Sequence, residues 1–200
     1  DWAIARQFLS TTMAETWNPY AGVTVDDLSG RTITASSETA VTMTVDAVAD
    51  VDATGAYSET DAAPVPLSFT LAQRKDGEWR ITKVEDGIVL DREFFPQIFR
   101  SYSLMYFDPS WTYLVPDMRW FPARTNTAAR IVQELVDGGP QPWLAGSVVT
   151  AFSEDITAPG AVPLVDGVAR VEMPAAALAL PQEQLERMQA QLEASLGSAN

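Results

Sequence analysis

Apolar positions along the 200-residue chain change period more than once, and each change marks a different kind of element. Trp2, Ala5, Phe8 and Leu9 fall on one helical face. Thr12 with Glu15 has the spacing of a capping box, which predicts a short second helix ending near Trp17-Asn18-Pro19. The period then drops to two. Val41, Met43, Val45 and Ala47 alternate with Thr42, Thr44 and Asp46, and Val65, Leu67, Phe69 and Leu71 alternate with Pro66, Ser68 and Thr70. Both runs predict half-buried antiparallel strands. Asp76-Gly77 tolerates the positive φ that tight hairpin turns need, so a strand over 78–84 is expected to return with Trp79 and Ile81 on one face. Helices followed by a curved meander predict an α+β roll over 1–93.

A second unit is expected over 101–200. Strands over 104–107 and 111–115 flank a turn at Asp108-Pro109-Ser110, and Ala128, Ile131, Val132 and Leu135 recur at helical spacing. Gly138-Gly139-Pro140 should end that helix, because glycine accepts a left-handed cap and proline cannot continue it. Further strands are expected over 147–152, 162–165 and 168–173, the last two joined at Asp166-Gly167. Pro181 suits the first turn of a closing helix that carries Leu185, Met188, Leu192 and Leu196. The connection over 94–100, "FFPQIFR", is too apolar for a free tether, which predicts docked domains.

Composition narrows the chemistry. A net charge of -14 and a pI near 4.2 disfavour phosphate backbones and anionic membrane surfaces as partners. No apolar run approaches the roughly 20 residues that cross a bilayer. The chain opens directly in a helical pattern, so a targeting segment is expected upstream. It has no Cys and no His, which removes thiol nucleophiles, disulfides, imidazole bases and the usual zinc ligands. Lys75 and Lys83 are the only lysines, so catalysis would fall to one of them or to a carboxylate pair. A glycosidase needs two acids converging across a cleft. Asp76, Asp86, Asp166, Glu183, Glu186 and Glu193 fall instead in turns, in caps or on exposed helix faces.

Several separated segments then carry a resemblance. "LMYFDP", "PDMRWFP", "ELVDGGPQPWL", "VDGVARVEM" and "EQLERMQAQLEASL", in that order over 103–197, look like a GerMN domain. "PDMRWFP", "GPQPWLAG" and "DGVARV" together most resemble the LpqB family of actinobacterial cell-envelope lipoproteins. Upstream, "WNPYAGVTV" and "DGEWRITKVEDGIVL" are similar to the N-terminal region of that family. The resemblance implies an α+β chain in which a cystatin-like roll of the nuclear transport factor two kind precedes an α/β-sandwich GerMN domain. It implies a lipid-anchored, extracytoplasmic protein, with a lipobox cysteine upstream and a propeller-type domain downstream. It also implies a non-enzymatic role without cofactor, in which the chain binds and modulates the extracytoplasmic domain of an MtrB-like sensor histidine kinase of the MtrA/MtrB two-component pair. The alternative is an envelope-glycan or small-ligand binding module without kinase contact.

Three groups of residues are candidates for that binding. Strand alternation puts Trp111, Tyr113 and Val115 on one side and Thr112 and Leu114 on the other, so Trp111 and Tyr113 are expected to pack in the core or between domains. Arg119 and Trp120 are the residue types enriched at binding hot spots and are expected on a partner-facing patch. Trp17, Tyr20, Phe69 and Trp79 could line the concave face of the roll, and without a convergent polar group they are expected to fill it. Finally, Asp50, Asp52, Thr54, Gly55, Ser58 and Asp61 match positions one, three, five, six, nine and twelve of a helix-loop-helix calcium loop. Asp61 replaces the bidentate Glu and the flanks read as strands, which favours a solvated acidic hairpin tip.

Overall fold

Five strands organise the first unit: β1 (Gly22–Ala35), β2 (Ala40–Asp52), β3 (Tyr57–Gln73), β4 (Trp79–Lys83) and β5 (Ile88–Asp91). The computed structural model describes residues 2–123, 127–166 and 168–197, except for the side chain of Ala62. These form two units, Asp1–Gln97 and Ile98–Asn200. In the first, the sheet order is β4-β3-β2-β1-β5, antiparallel throughout except that β5 runs parallel to β1. The meander read from residue alternation is therefore present, with β1 and β5 added. The unit is a strand-dominated α+β fold.

Sequence pattern explains the sheet's irregularities. The β1–β2 register shifts between Val25 and Asp26 and again between Asp27 and Thr32, so the segment Leu28 to Arg31 leaves regular pairing. There Arg31 Nε and Nη2 donate to the two oxygens of the fully buried Asp26, at 2.6 and 2.8 Å. A Cβ on Gly30 would meet the Asp46 carboxylate at 2.1 Å, which is why glycine stands at this bulge. On the other side, β4 pairs only with Thr70 to Gln73, so among the described residues no strand pairs with the outer side of β3 from Ser58 to Phe69. It carries Pro64 and Pro66, two residues apart, opposite Asp46 and Thr44. Neither can donate to an incoming strand, so this edge is blunted against association.

Two short helices, α1 (Ala3–Arg6) and α2 (Thr11–Thr16), precede the sheet. The second is capped by Ser10, whose hydroxyl accepts from the Met13 amide, rather than by Thr12 as the sequence suggested. Arg6 ties the helices together: its guanidinium donates to the carbonyls of Ala14 and Trp17 and lies 5.4 Å from the centre of the Trp17 ring. The chain between the helices is pinned to the edge strand, Ser10 N–H donating to Ile81 and Ile81 N–H to Phe8.

The second unit follows α3 (Phe95–Ile98) and is built on the antiparallel ribbon β6 (Phe99–Phe107) and β7 (Leu114–Pro122). α4 (Thr127–Gln133) continues as a π-helical turn, Glu134–Gly138, and a 3₁₀ turn, Ala175–Ala179, precedes α5 (Gln182–Gly197). Gly139 ends the π turn at φ 74° and ψ 178°, a conformation essentially confined to glycine, so the helix stop expected there is present. Tyr102, Leu104 and Phe121 from the ribbon pack with Ile131 and Leu135 of the helix and Met188 of α5.

The strands expected beyond α4 are reduced. Of 147–152, only Val149 bridges β6, exchanging two hydrogen bonds with Phe107. The expected pair over 162–165 and 168–173 shrinks to β8 (Leu164–Val165) and β9 (Val168–Ala169), and Gly167 of its turn lies outside the described residues. Polar side chains of α5 stand in for missing strands. Gln191 Oε1 accepts from Ala151 N–H at 2.8 Å, Gln184 Nε2 donates to Ala151 C=O at 3.0 Å, and Ser195 Oγ accepts from Met105 N–H at 2.8 Å. Gln191 and Ser195 are fully buried for that reason: each satisfies a backbone donor that would otherwise be stranded inside.

Candidate functional site

The first unit holds a cleft of about 610 Å³ between the N-terminal helices and the sheet. Its walls include Phe8, Trp17, Met43, Leu67, Phe69 and Ile81. Register explains the apolar floor: Met43 pairs with Leu67 and Val41 with Phe69, so these side chains share one face, while the alternating Thr42 and Thr44 turn to the other. Of the four aromatics expected here, Trp17 and Phe69 line the cleft. Tyr20 and Trp79 do not; they are 46% and 44% exposed. Tyr20 is held in the turn after α2, where its N–H donates to Asn18 Oδ1, and it meets the edge of Trp2 from outside. Trp79 opens β4. The aromatics therefore do not fill the concave face. Polar groups that sequence reasoning did not assign to it include Arg31, held by Asp26, Thr24, whose hydroxyl donates to Asp50 at 2.9 Å, and the acids Asp50, Glu85 and Asp86.

The acidic stretch 50–61, matched above to a helix-loop-helix calcium loop, lies between strands and not between helices. It forms the arms of the β2–β3 hairpin, with Asp50 opposite Ser58. Asp52 Oδ1 already accepts from the Thr54 and Ala56 amides and the Thr54 hydroxyl, while Gly55 takes φ 85° in the turn. Asp50 and Asp52 thus serve the hairpin, and Asp61 is carried away along β3. Among the described residues no three acids gather as a metal site.

In the second unit, the expected partner patch is corrected. Arg119 is only 2% exposed. Along β7 the inward positions are Asp117, Arg119 and Phe121, so the guanidinium points into the domain with the ring that follows it. Arg119 Nη2 donates to Asp117 Oδ2 at 2.8 Å and to the Gly139 carbonyl at 3.0 Å. Asp117, fully buried, also accepts from the backbone and side-chain amides of Gln141, whose side chain donates in turn to the Met118 carbonyl. "PDMR" and "GPQ" are therefore two halves of one buried lock that fastens the loop after α4 to β7. Nearby, the Tyr106 hydroxyl is buried without a hydrogen-bond partner among the described residues. Burial raises its pKa far above the ordinary tyrosine value, so it stays neutral. Asp117 and Arg119 are both withdrawn from solvent in this lock. Extending the period-two pattern past Val115 would have placed Asp117 and Arg119 on the buried face.

The hairpin tip also differs from expectation. β7 begins at Leu114, later than the predicted 111, because Asp108 gathers the turn: its carboxylate accepts from Thr112 and Tyr113 amides at 2.8 and 2.7 Å and from the amide and hydroxyl of Ser110. Trp111, at φ 60°, folds inward: its ring lies 5.3 Å from that of Phe107, and the Arg187 guanidinium sits 4.3 Å from its centre. Tyr113 turns outward and is 71% exposed, so it does not pack in the core. These hydrogen bonds, led by the Ser110 hydroxyl and the Tyr113 amide, lower the Asp108 pKa to about 2. A depressed carboxylate stabilises above its unfolded value of 3.8 and loses that contribution as pH falls through about 2. Amide shifts of Thr112 and Tyr113 should hold steady down to pH ~4 and move with a midpoint near 2. A midpoint at the ordinary carboxylate value would remove this role.

The outward face of the same ribbon is apolar. Met118 is 51% exposed, Trp120 and Leu114 are half-buried, and Ser103 donates weakly to the Met118 sulfur at 3.9 Å. Trp120 is thus on the outer side, opposite in direction to Arg119.

Comparison with known proteins bears on both units. The family model for "Lipoprotein LpqB, N-terminal domain" matches residues 1–96, and that for "Sporulation and spore germination" matches residues 103–200. Lipoprotein LpqB of Bifidobacterium longum is 28% identical over 98% of this chain and 36% of its own length. Lipoprotein LpqB of Rhodococcus jostii is 31% identical over 82% of this chain and 27% of its own, and that of Mycobacterium tuberculosis is 28% identical over 82% and 28%. The chain spans about a third of the length of the curated relatives it matches. No solved structure matches it significantly. Two family models in tandem, and relatives of one name aligned across both units, show that this chain belongs to the LpqB lipoprotein family.

Proposed function

We propose that this chain is a non-catalytic binding part of a lipid-anchored, extracytoplasmic lipoprotein, and that it docks on the extracytoplasmic domain of an MtrB-like sensor histidine kinase to modulate two-component signalling. The observation that carries the docking is the two-sided ribbon β6–β7. Its inner face is locked by the Asp117–Arg119 pair, and its outer face offers Met118 and Trp120, with Tyr113 at the tip. A rigid strand pair presenting exposed apolar and aromatic side chains suits a protein partner, since little ordering entropy remains to be lost on docking. The relatives' name supports the lipoprotein part of this reading.

The test is a titration of the chain against the isolated sensor domain. Met118→Asp and Trp120→Ala should each weaken the complex by about 2 kcal/mol or more while leaving the chain folded. A folded double variant that binds at full strength, or a parent chain that does not bind, would remove the proposal.

A further inference from the structure

The geometry points to the cleft of the first unit as a binding site for one neutral amphiphile, an acyl chain lying on the sheet floor with an uncharged oxygen, an ester carbonyl or hydroxyl, at Arg31. This site is independent of the kinase reading, which rests on the other unit.

Size comes first. About 610 Å³ lies in the range of small-molecule pockets, roughly 300–1,000 Å³. Two turns of α-helix, a cylinder about 10 Å wide and 11 Å long, would need roughly 850 Å³. A flexible chain fits this volume without a rigid helix having to enter it.

Wall chemistry selects the tail. Met43, Leu67, Phe69 and Ile81 supply an apolar floor, and Trp17 with Phe8 closes the helical side. Phe8 is 61% exposed although it lines the cleft. Ile33, opposite Met43 in the ladder and so on the same sheet face, is 73% exposed. The helices cover only part of the floor, leaving apolar surface that an acyl chain would remove from water.

Charge selects the head. Arg31 is the cation of the lining, and its Nε and Nη2 are committed to Asp26. Its Nη1 makes no hydrogen bond among the described residues, so donors remain for an acceptor on the ligand. Asp26 and Asp91 both act on this guanidinium, and Asp50, Glu85 and Asp86 also line the cleft. The field around the free donors is already negative, and a carboxylate or phosphate head would add repulsion. An ester carbonyl or hydroxyl accepts the same hydrogen bonds without it.

The probe is 1-monooleoylglycerol with its dibrominated-chain analogue, kept below its aggregation threshold, against the full chain. Trp2 and Trp17 line the cleft, so the brominated chain should quench tryptophan fluorescence saturably at one molecule per chain. Trp17→Phe should remove the Trp17 share of the quenching and leave that of Trp2, which lines the same cleft. Phe69→Asp and Met43→Gln should weaken binding at least tenfold, with folding checked by circular dichroism. Oleate at neutral pH should bind at least tenfold more weakly than the glyceride. If the variants fail to fold, methyl and indole shifts in the unaltered chain decide: changes confined to Met43, Leu67 and Trp17 support the site. Quenching that rises in proportion to lipid without saturating, shifts spread outside the cleft, or oleate binding as tightly as the glyceride would overturn the assignment.

Discussion

Replacing Arg119 with alanine is expected to lower the stability of the second unit by about 3–5 kcal/mol, the cost of leaving one member of a buried ion pair unpaired. Asp117 is fully buried beside Leu104, its cross-strand neighbour, and among the described residues would retain only the Gln141 amides as partners. Asp117→Ala should also be damaging, since it takes from Arg119 its carboxylate and leaves both Gln141 donors without their acceptor. The decisive variant removes both charges. Asp117→Leu with Arg119→Met should cost less than either single change, because the desolvation penalty disappears with the pair. Arg119→Lys keeps the charge but loses the planar fork, so it should fall between. Urea unfolding followed through Trp111, Trp120 and Trp143, all in the second unit, measures this. An Arg119→Ala chain with an unchanged midpoint would return Arg119 to the surface role that its residue type first suggested.

That reversal shows where local reading stops. Residue type marks Arg119 as a hot-spot candidate, while its position on β7 makes it a buried lock, and only the register separates the two. The partner of the lock, the Gly139 to Gln141 loop, lies some twenty residues downstream, and no local period connects them. The strands β2, β3 and β4 were legible because one face of each is apolar and the other rich in Thr and Ser. β1 was not, since Asp26-Asp27 and Gly30 interrupt its pattern, and those residues are what the bulge uses. The run Ser147 to Phe152 has strand composition, yet side chains of α5 take the backbone groups of Ala151 that a neighbouring strand would have bonded. Two of the four expected cleft aromatics, Trp17 and Phe69, are in place. That the cleft is open was not legible, because the stand-off of the helices is set by Arg6 and by Ser10 at Ile81, contacts that composition does not report.

The hairpin tip offers a sharper contrast, since two aromatic residues two positions apart should behave oppositely. Trp111→Ala is expected to cost about 2–3 kcal/mol, below the 3–5 of a fully buried aromatic because the ring is only half-buried. The loss comprises the Phe107 contact and the Arg187 guanidinium over the ring face. Tyr113→Ala should change stability by no more than about 0.5 kcal/mol, because the side chain is largely in water. Trp111 also holds a positive φ, which an alanine would still have to adopt. Trp111→Gly removes the same ring without that strain, so it should be about 1 kcal/mol less damaging than Trp111→Ala. Three denaturation curves thus separate the two contributions. Equal Ala and Gly curves would mean that the φ carries no strain, and a Tyr113→Ala loss matching that of Trp111→Ala would mean that both rings pack inward.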